Sequence, residues 1–191
     1  TTLNLGTTNV KEEGAAHLAE ALKFNVTLST LKLCNNHLKD SGFSLIADVL
    51  KVNASLTELD LGDNIVTSEG IACLAEALKT NATLLELSLW KNAVQDQGVT
   101  HLAEALKINS TLTLLDLSNN GVTAHGATRM IEASATHSSL TVLDLTMNDI
   151  KGESISFLAE ALKGNSSLRS LYLAENDVKD DGAVQIAEAL K

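Results

Sequence analysis

The chain has 191 residues, 45% of them apolar but only 3% aromatic, and a formal charge of −10 at neutral pH. Such an acidic balance argues against nucleic acid and anionic membrane surfaces as partners, since both need basic patches. No apolar run approaches the roughly 20 residues of a membrane span, and neither a signal peptide nor a proline-rich linker interrupts the chain, so one domain over residues 1–191 is expected.

Leu3, Leu31, Leu59, Leu87, Leu115, Leu143 and Leu171 stand 28 positions apart with no insertion or deletion between them. A second leucine follows each after one polar or small residue, as in Leu59-Asp60-Leu61. That alternation predicts short strands near 2–6, 30–34, 58–62, 86–90, 114–118, 142–146 and 170–174, with the leucines on one side. An asparagine closes each strand (Asn36, Asn64, Asn92, Asn120, Asn148, Asn176), and only Thr8 departs. Its amide can both donate and accept, which suits a turn that water does not reach.

The second half of each unit reads as a helix. Ile71, Leu74, Ala75 and Leu78 fall at i, i+3, i+4 and i+7, one apolar stripe. Ser68 is the expected N-cap, with Asp40, Asp96 and Asp180 in the same place, whereas Ala124 and Gly152 leave the fifth and sixth starts less fixed. The fifth unit departs further. Ile131-Glu132-Ala133-Ser134-Ala135 replaces Ala-Glu-Ala-Leu-Lys, and His137 replaces the asparagine that begins the return, so a loosely packed or shifted helix is expected there. Asn25, Asn53, Asn81, Asn109 and Asn165 begin Asn-x-Ser/Thr sequences, the glycosylation acceptor pattern. All five come from one repeat position, so they are read as fold residues.

One strand and one helix cannot bury their own leucines, so units must stack. Strands lie about 4.8 Å apart and packed helices about 8–10 Å, so the stack must curve with its strands inside. The spacing matches the leucine-rich repeat pattern L-x-x-L-x-L-x-x-N-x-L. The predicted fold is an α/β, right-handed leucine-rich-repeat solenoid, with a parallel sheet on the concave face and helices on the convex face.

Leu-x-Leu-x-x-Asn stands at 59–64, 87–92, 115–120, 143–148 and 171–176, and Ala-Glu-Ala-Leu-Lys at 75–79, 103–107 and 159–163. With the Asn-x-Ser/Thr return, this unit resembles the ribonuclease-inhibitor subtype of leucine-rich repeat. The uninterrupted spacing is most similar to the sensor repeats of NOD-like receptors, particularly their NLRC3-like branch. That resemblance implies a non-catalytic, ligand-sensing array in innate immunity. Thr1 opens directly in a strand and Lys191 closes a helix in mid-pattern. An excerpt from a longer array is expected, with self-association through uncapped ends a further expectation.

Cys34 and Cys73 fall in different kinds of place, a strand end and a helix, and do not form a framework, so a reducing, cytoplasmic compartment is expected. Acids on the outer helices (Glu20, Asp48, Glu76, Glu104, Glu160, Glu188) each precede a lysine by three positions and read as a solvated ladder. The polar sides of the strands and their following turns differ. They carry Glu58, Asp60, Asp63, Glu86, Asp116, Asp144 and Glu175 against Lys32 and Lys91, together with the large apolar residues Trp90, Leu114, Val142, Met147 and Tyr172. An aromatic anchor rimmed by carboxylates has the composition of a protein-binding hot spot. The expected partner is a protein or peptide with a basic surface, held on the concave face.

Chemistry-bearing motifs are weak. The five histidines give no metal spacing, and no cofactor is expected. Cys34 and His37 could form a nucleophile–base pair, but no orienting third group is evident. Gly121 to Thr128 has the glycine spacing of a phosphate-binding loop with Ala127 where the lysine should stand. Arg129 and Arg169 are the only arginines available for a GTPase-activating finger, and neither is expected in a mobile loop. A free-standing inhibitor or a secreted bacterial effector built on the same repeats is the alternative to a receptor array.

Overall fold

The computed structural model of the chain describes residues 1–136 and 139–191, so His137 lies outside the described residues. Strands β1 (Thr2–Asn4), β2 (Thr30–Lys32), β3 (Glu58–Asp60), β4 (Glu86–Ser88), β5 (Leu114–Asp116), β6 (Val142–Asp144) and β7 (Ser170–Tyr172) alternate with helices. The helices are α1 (Glu12–Leu22), α2 (Lys39–Leu50), α3 (Ser68–Leu78), α4 (Gln95–Leu106), α5 (Ala124–Thr136), α6 (Ile155–Lys163) and α7 (Lys179–Ala189), with a 3-10 turn, Gly152–Ser154, before α6.

All seven strands form one parallel sheet in chain order. The register follows the repeat, Leu31 pairing with Leu59 and Leu59 with Leu87. Regular strand covers three residues where five were predicted. The ladder nonetheless continues beyond it, because Leu33 N donates to Asp60 O and Asn35 N to Gly62 O, both at 2.8 Å. In every repeat the residue before the turn asparagine (or Thr8) is left-handed, with φ between 51° and 59° from Thr7 to Glu175, and this bends the chain away from the sheet.

Leucine pairs of the interior repeats and the stripe Ile71, Leu74, Ala75 and Leu78 are buried in one continuous core between sheet and helices. Leu3, Leu5, Leu171 and Leu173 are only partly buried, each end repeat having one neighbour. Asn64 shows why its position is kept. Its Nδ2 donates to Leu33 O at 2.9 Å, Leu61 O at 3.0 Å and Gly62 O at 3.1 Å, while its Oδ1 accepts from Asn36 N and Leu38 N of the preceding repeat. One fully buried side chain thus fastens two repeats. The return asparagines do the same on the other edge. Asn53, Asn81 and Asn109 are buried, and Asn81 Nδ2 donates to Leu50 O at 2.8 Å, which leaves no room for a glycan there.

Two expectations are corrected. Ser68 is not the N-cap of α3 but its first residue. Thr67 caps it, its hydroxyl accepting from Glu69 N. Asp40, Asp96 and Asp180 do not cap their own helices either but lie inside them, and the first two reach into the next repeat. Asp40 accepts from Thr67 N at 2.8 Å, Thr67 Oγ1 at 2.9 Å and Gly70 N at 3.2 Å, and Asp96 accepts from Thr123 N at 2.8 Å and Thr123 Oγ1 at 2.6 Å. Repeats two to five therefore fall into two pairs, two with three and four with five, inside the one-repeat period.

Over its described side chains, repeat five is not loose. Its helix buries Met130, Ile131 and Ala133 fully, and the smaller Ser134 in the leucine position donates to Ile131 O at 2.8 Å. Larger and smaller core residues offset each other, as volume-conserving exchanges do. The shift appears one repeat later. Asn165 Nδ2 donates to Ile131 O and Ser134 Oγ, a carbonyl three residues earlier than in the other repeats, and α6 begins only after the 3-10 turn.

Candidate functional site

The concave wall is a grid set by the strand register. One row runs Thr30, Glu58, Glu86, Leu114, Val142, Ser170, and the next runs Lys32, Asp60, Ser88, Asp116, Asp144, Tyr172. Successive members lie about 4.8 Å apart along the array, and the rows about 6.6 Å apart along each strand. None of Glu58, Asp60, Glu86, Leu114, Asp116, Val142, Asp144 and Tyr172 is buried in the leucine core. A third line of side chains, Asp63, Lys91 and Met147, stands on the left-handed turn residues at the edge.

The carboxylates are not equivalent. Glu58 pairs with Lys32 at 2.9 Å and accepts from Thr30 Oγ1, and Asp63 pairs with Lys91 at 2.9 Å. The hydrogen bond from Lys32 holds the Glu58 carboxyl below its usual range against partial burial, and the same bond raises Lys32. Asp60, Asp116 and Asp144 share a different task. Each accepts from the backbone N–H two residues on (Gly62, Ser118, Thr146), which ends the strand, as Asn4 does for Gly6. Asp116 also accepts from the Ser88 hydroxyl at 2.9 Å and the Ser118 hydroxyl at 2.7 Å. Those donors are neutral, so its charge remains. Among the described residues no cation forms an ion pair with Asp60, Glu86, Asp116, Asp144 or Glu175.

Trp90 is half-buried and not free-standing. Its indole lies on the Cα of Gly62 in the preceding repeat, where any Cβ would collide with the ring. Gly6 similarly makes room for the Cys34 thiol. Tyr172 is 51% exposed and Met147 47%, and Leu114 and Val142 are partly buried neighbours in the sheet.

Catalytic candidates do not assemble. Burial pushes the Cys34 thiol up, and Asp60 beside it adds to the shift, the opposite of what a nucleophile needs. Gly121 and Gly126 serve a left-handed turn and the close approach of Asp96 rather than a phosphate. Arg129 lies on α5 and Arg169 just before β7. Among the described residues, no three His, Cys, Asp or Glu side chains group to hold a metal ion, and no helix is long and apolar enough to cross a membrane. A convex groove of about 690 Å³ between α4, α5 and α6 went unread in the sequence. It is lined by Thr100, His125, Arg129, Glu132 and Phe157, with His125 edge-on to Phe157 at 6.1 Å. Its only signal was an apolar Phe157 on an otherwise polar helix face.

Strand register, asparagine ladder and buried leucines define a leucine-rich-repeat solenoid, a fold whose open sheet face is free to bind. In keeping with this, the family described as Leucine Rich repeat matches residues 52–75, 109–130, 136–159 and 164–187, so the chain carries leucine-rich repeats. Leiomodin-1 actin-binding site 2 is similar in structure, with a TM-score of 0.65 and 22% identity over 75% of this chain and 84% of that one. The tropomodulin C-terminal domain of Caenorhabditis elegans gives a TM-score of 0.65 and 19% identity over 78% of this chain and 90% of that one. No curated protein matches the chain in sequence. At these identities the likeness is one of fold.

Proposed function

We propose that the chain is a non-catalytic protein-interaction module that holds a protein or peptide with a basic surface on its concave sheet face. The observation that carries this is the open wall itself: exposed Tyr172 and Met147 stand outside the core with Leu114, Val142 and carboxylates that have no cationic partner among the described residues. That the leiomodin-1 structure is of an actin-binding site supports protein binding as the class of function. Complementary charge would act mainly on association rate and selectivity. The test is to select peptides against the wild-type chain from a random display library and measure their affinity for Tyr172→Ala and Glu86→Lys. A loss of about tenfold in at least one of them is expected; unchanged affinity in both variants removes the concave face from the proposal.

Within that class, the uninterrupted 28-residue spacing favours a ligand-sensing array of the NOD-like receptor type. The free thiols Cys34 and Cys73 suit a reducing, cytoplasmic setting. A nucleotide-binding segment encoded upstream supports that reading. A secretion signal there favours the inhibitor or effector instead.

A further inference from the structure

The concave wall is divided by its ion pairs and its apolar side chains together, and the division points to one part of it and one kind of occupant. From β2 to β4 the rows are polar, and of the acids there Glu58 and Asp63 are paired while, among the described residues, Asp60 and Glu86 are not. Lys32 and Lys91 add positive charge there and Trp90 is committed to Gly62, so a basic partner meets two cations and no free apolar side chain in the rows. From β5 to β7 unpaired acids stand with apolar side chains instead. Asp116 and Asp144 are register neighbours with no cationic partner among the described residues, Tyr172 continues their row, and Leu114 and Val142 form an apolar pair one row away. Met147 stands beside them at φ 56°, a left-handed position where Asn35 and Asn119 stand in other repeats and where methionine gains neither burial nor turn chemistry.

Resting on the concave-face reading above, we propose that repeats five to seven are the docking footprint and that the occupant is an amphipathic α-helix with lysine or arginine flanking its apolar face. Charge complementarity selects the flank, since the helix must offer cations to Asp116 and Asp144. Spacing selects the helix. Its turns recur every 5.4 Å or so, close to the strand spacing of about 4.8 Å, so successive turns meet successive repeats. An extended segment shows the same face only every 6.6 Å or so and is out of step after two strands. The two rows, about 6.6 Å apart, also fit within the breadth of a helix, about 10 Å.

The experiment uses the whole chain and a display library of single helices about five turns long, randomised on one face, alongside a library of the same length with a central proline. Selected peptides are synthesised and titrated against the isotope-labelled chain by NMR. The proposal expects winners from the helical library, apolar residues flanked by Lys or Arg, and shifted amides in 114–118, 142–147 and 170–174 but not in 30–34 or 58–62. Asp144→Asn keeps the oxygen that accepts from Thr146 N and removes only the charge, as Asn4 does naturally, so the fold is retained. Asp144→Asn and Tyr172→Ala should each weaken binding about tenfold. Equal enrichment of the proline library, or shifts centred on β2 to β4, overturns the helix and the footprint while leaving concave binding standing. Peptides that bind only the convex helices, or no peptides at all, overturn both.

Discussion

Asn64 fastens its own repeat to the one before it. Its five hydrogen bonds lie in a site with no measurable exposure, so truncation strands backbone groups of two repeats at once. Each orphaned buried group costs about 1–3 kcal/mol, and Asn64→Ala should therefore lose about 3 kcal/mol or more in urea unfolding. The Lys32–Glu58 pair contrasts with it. Both side chains are more than a third exposed, 37% and 35%, so the pair is worth only tenths of a kcal/mol. Because Glu58 is lowered, its share is present above the ordinary glutamate pKa of about 4.3 and is lost as pH falls through the lower folded value. Because Lys32 is raised, its share is present below about 10.4 and is lost as pH rises through the higher folded value. Glu58→Gln should leave stability at pH 7 within about 0.5 kcal/mol and slightly flatten its fall in acid. Trp90, the single tryptophan, reports on its own seat: Gly62→Ala should lift the indole off the sheet and shift its emission to the red.

At the level of elements, the aspartate of one repeat holds the threonine that caps the helix of the next, and a glycine makes the approach possible. Asp40, Thr67 and Gly70 form one such set and Asp96, Thr123 and Gly126 the other. Asp96→Ala should cost about 1 kcal/mol, the ordinary value of a lost cap. Gly126→Ala should also destabilise although alanine is the better helix former by about 1 kcal/mol, because its Cβ would collide with the Asp96 carboxylate. In the double variant the second loss should shrink, and a thermodynamic cycle in urea measures the coupling. Additive losses would remove the proposed contact. The sixth helix lacks any such support: Lys151 stands where Thr67 and Thr123 cap, and the start is a 3-10 turn instead.

The whole molecule is a one-dimensional stack in which helices pack against their sequence neighbours and each strand pairs with the next. Interior repeats are fastened on both sides and end repeats on one. Leu87→Ala, in the middle, should cost about 2–5 kcal/mol, and Leu171→Ala, only partly buried, clearly less. Hydrogen exchange should accordingly be slowest in β3 to β5 and fastest at either end. The outer ion pairs, such as Lys51 with Asp48 at 2.8 Å and Lys107 with Glu104 at 2.6 Å, are solvated and should make little difference when screened by salt.

Strand positions, the parallel order, the core stripe Ile71 to Leu78 and the outward ladder of acids and lysines were all legible in the sequence. Each follows from residues a fixed distance apart, and a strict repeat turns chain distance into spatial distance. What the repeat average hides was decided only by the tertiary structure. Asp40 and Thr67 are 27 residues apart and meet only when repeats stack, and so the sequence alone puts the cap at Ser68. Lys32 and Glu58, 26 apart, neutralise each other for the same reason, and Gly62 claims the tryptophan ring that alternation alone would leave exposed. Period and pattern fix which way a side chain points. Which neighbour it then touches depends on contacts between repeats, and these vary with every substitution in the unit next door.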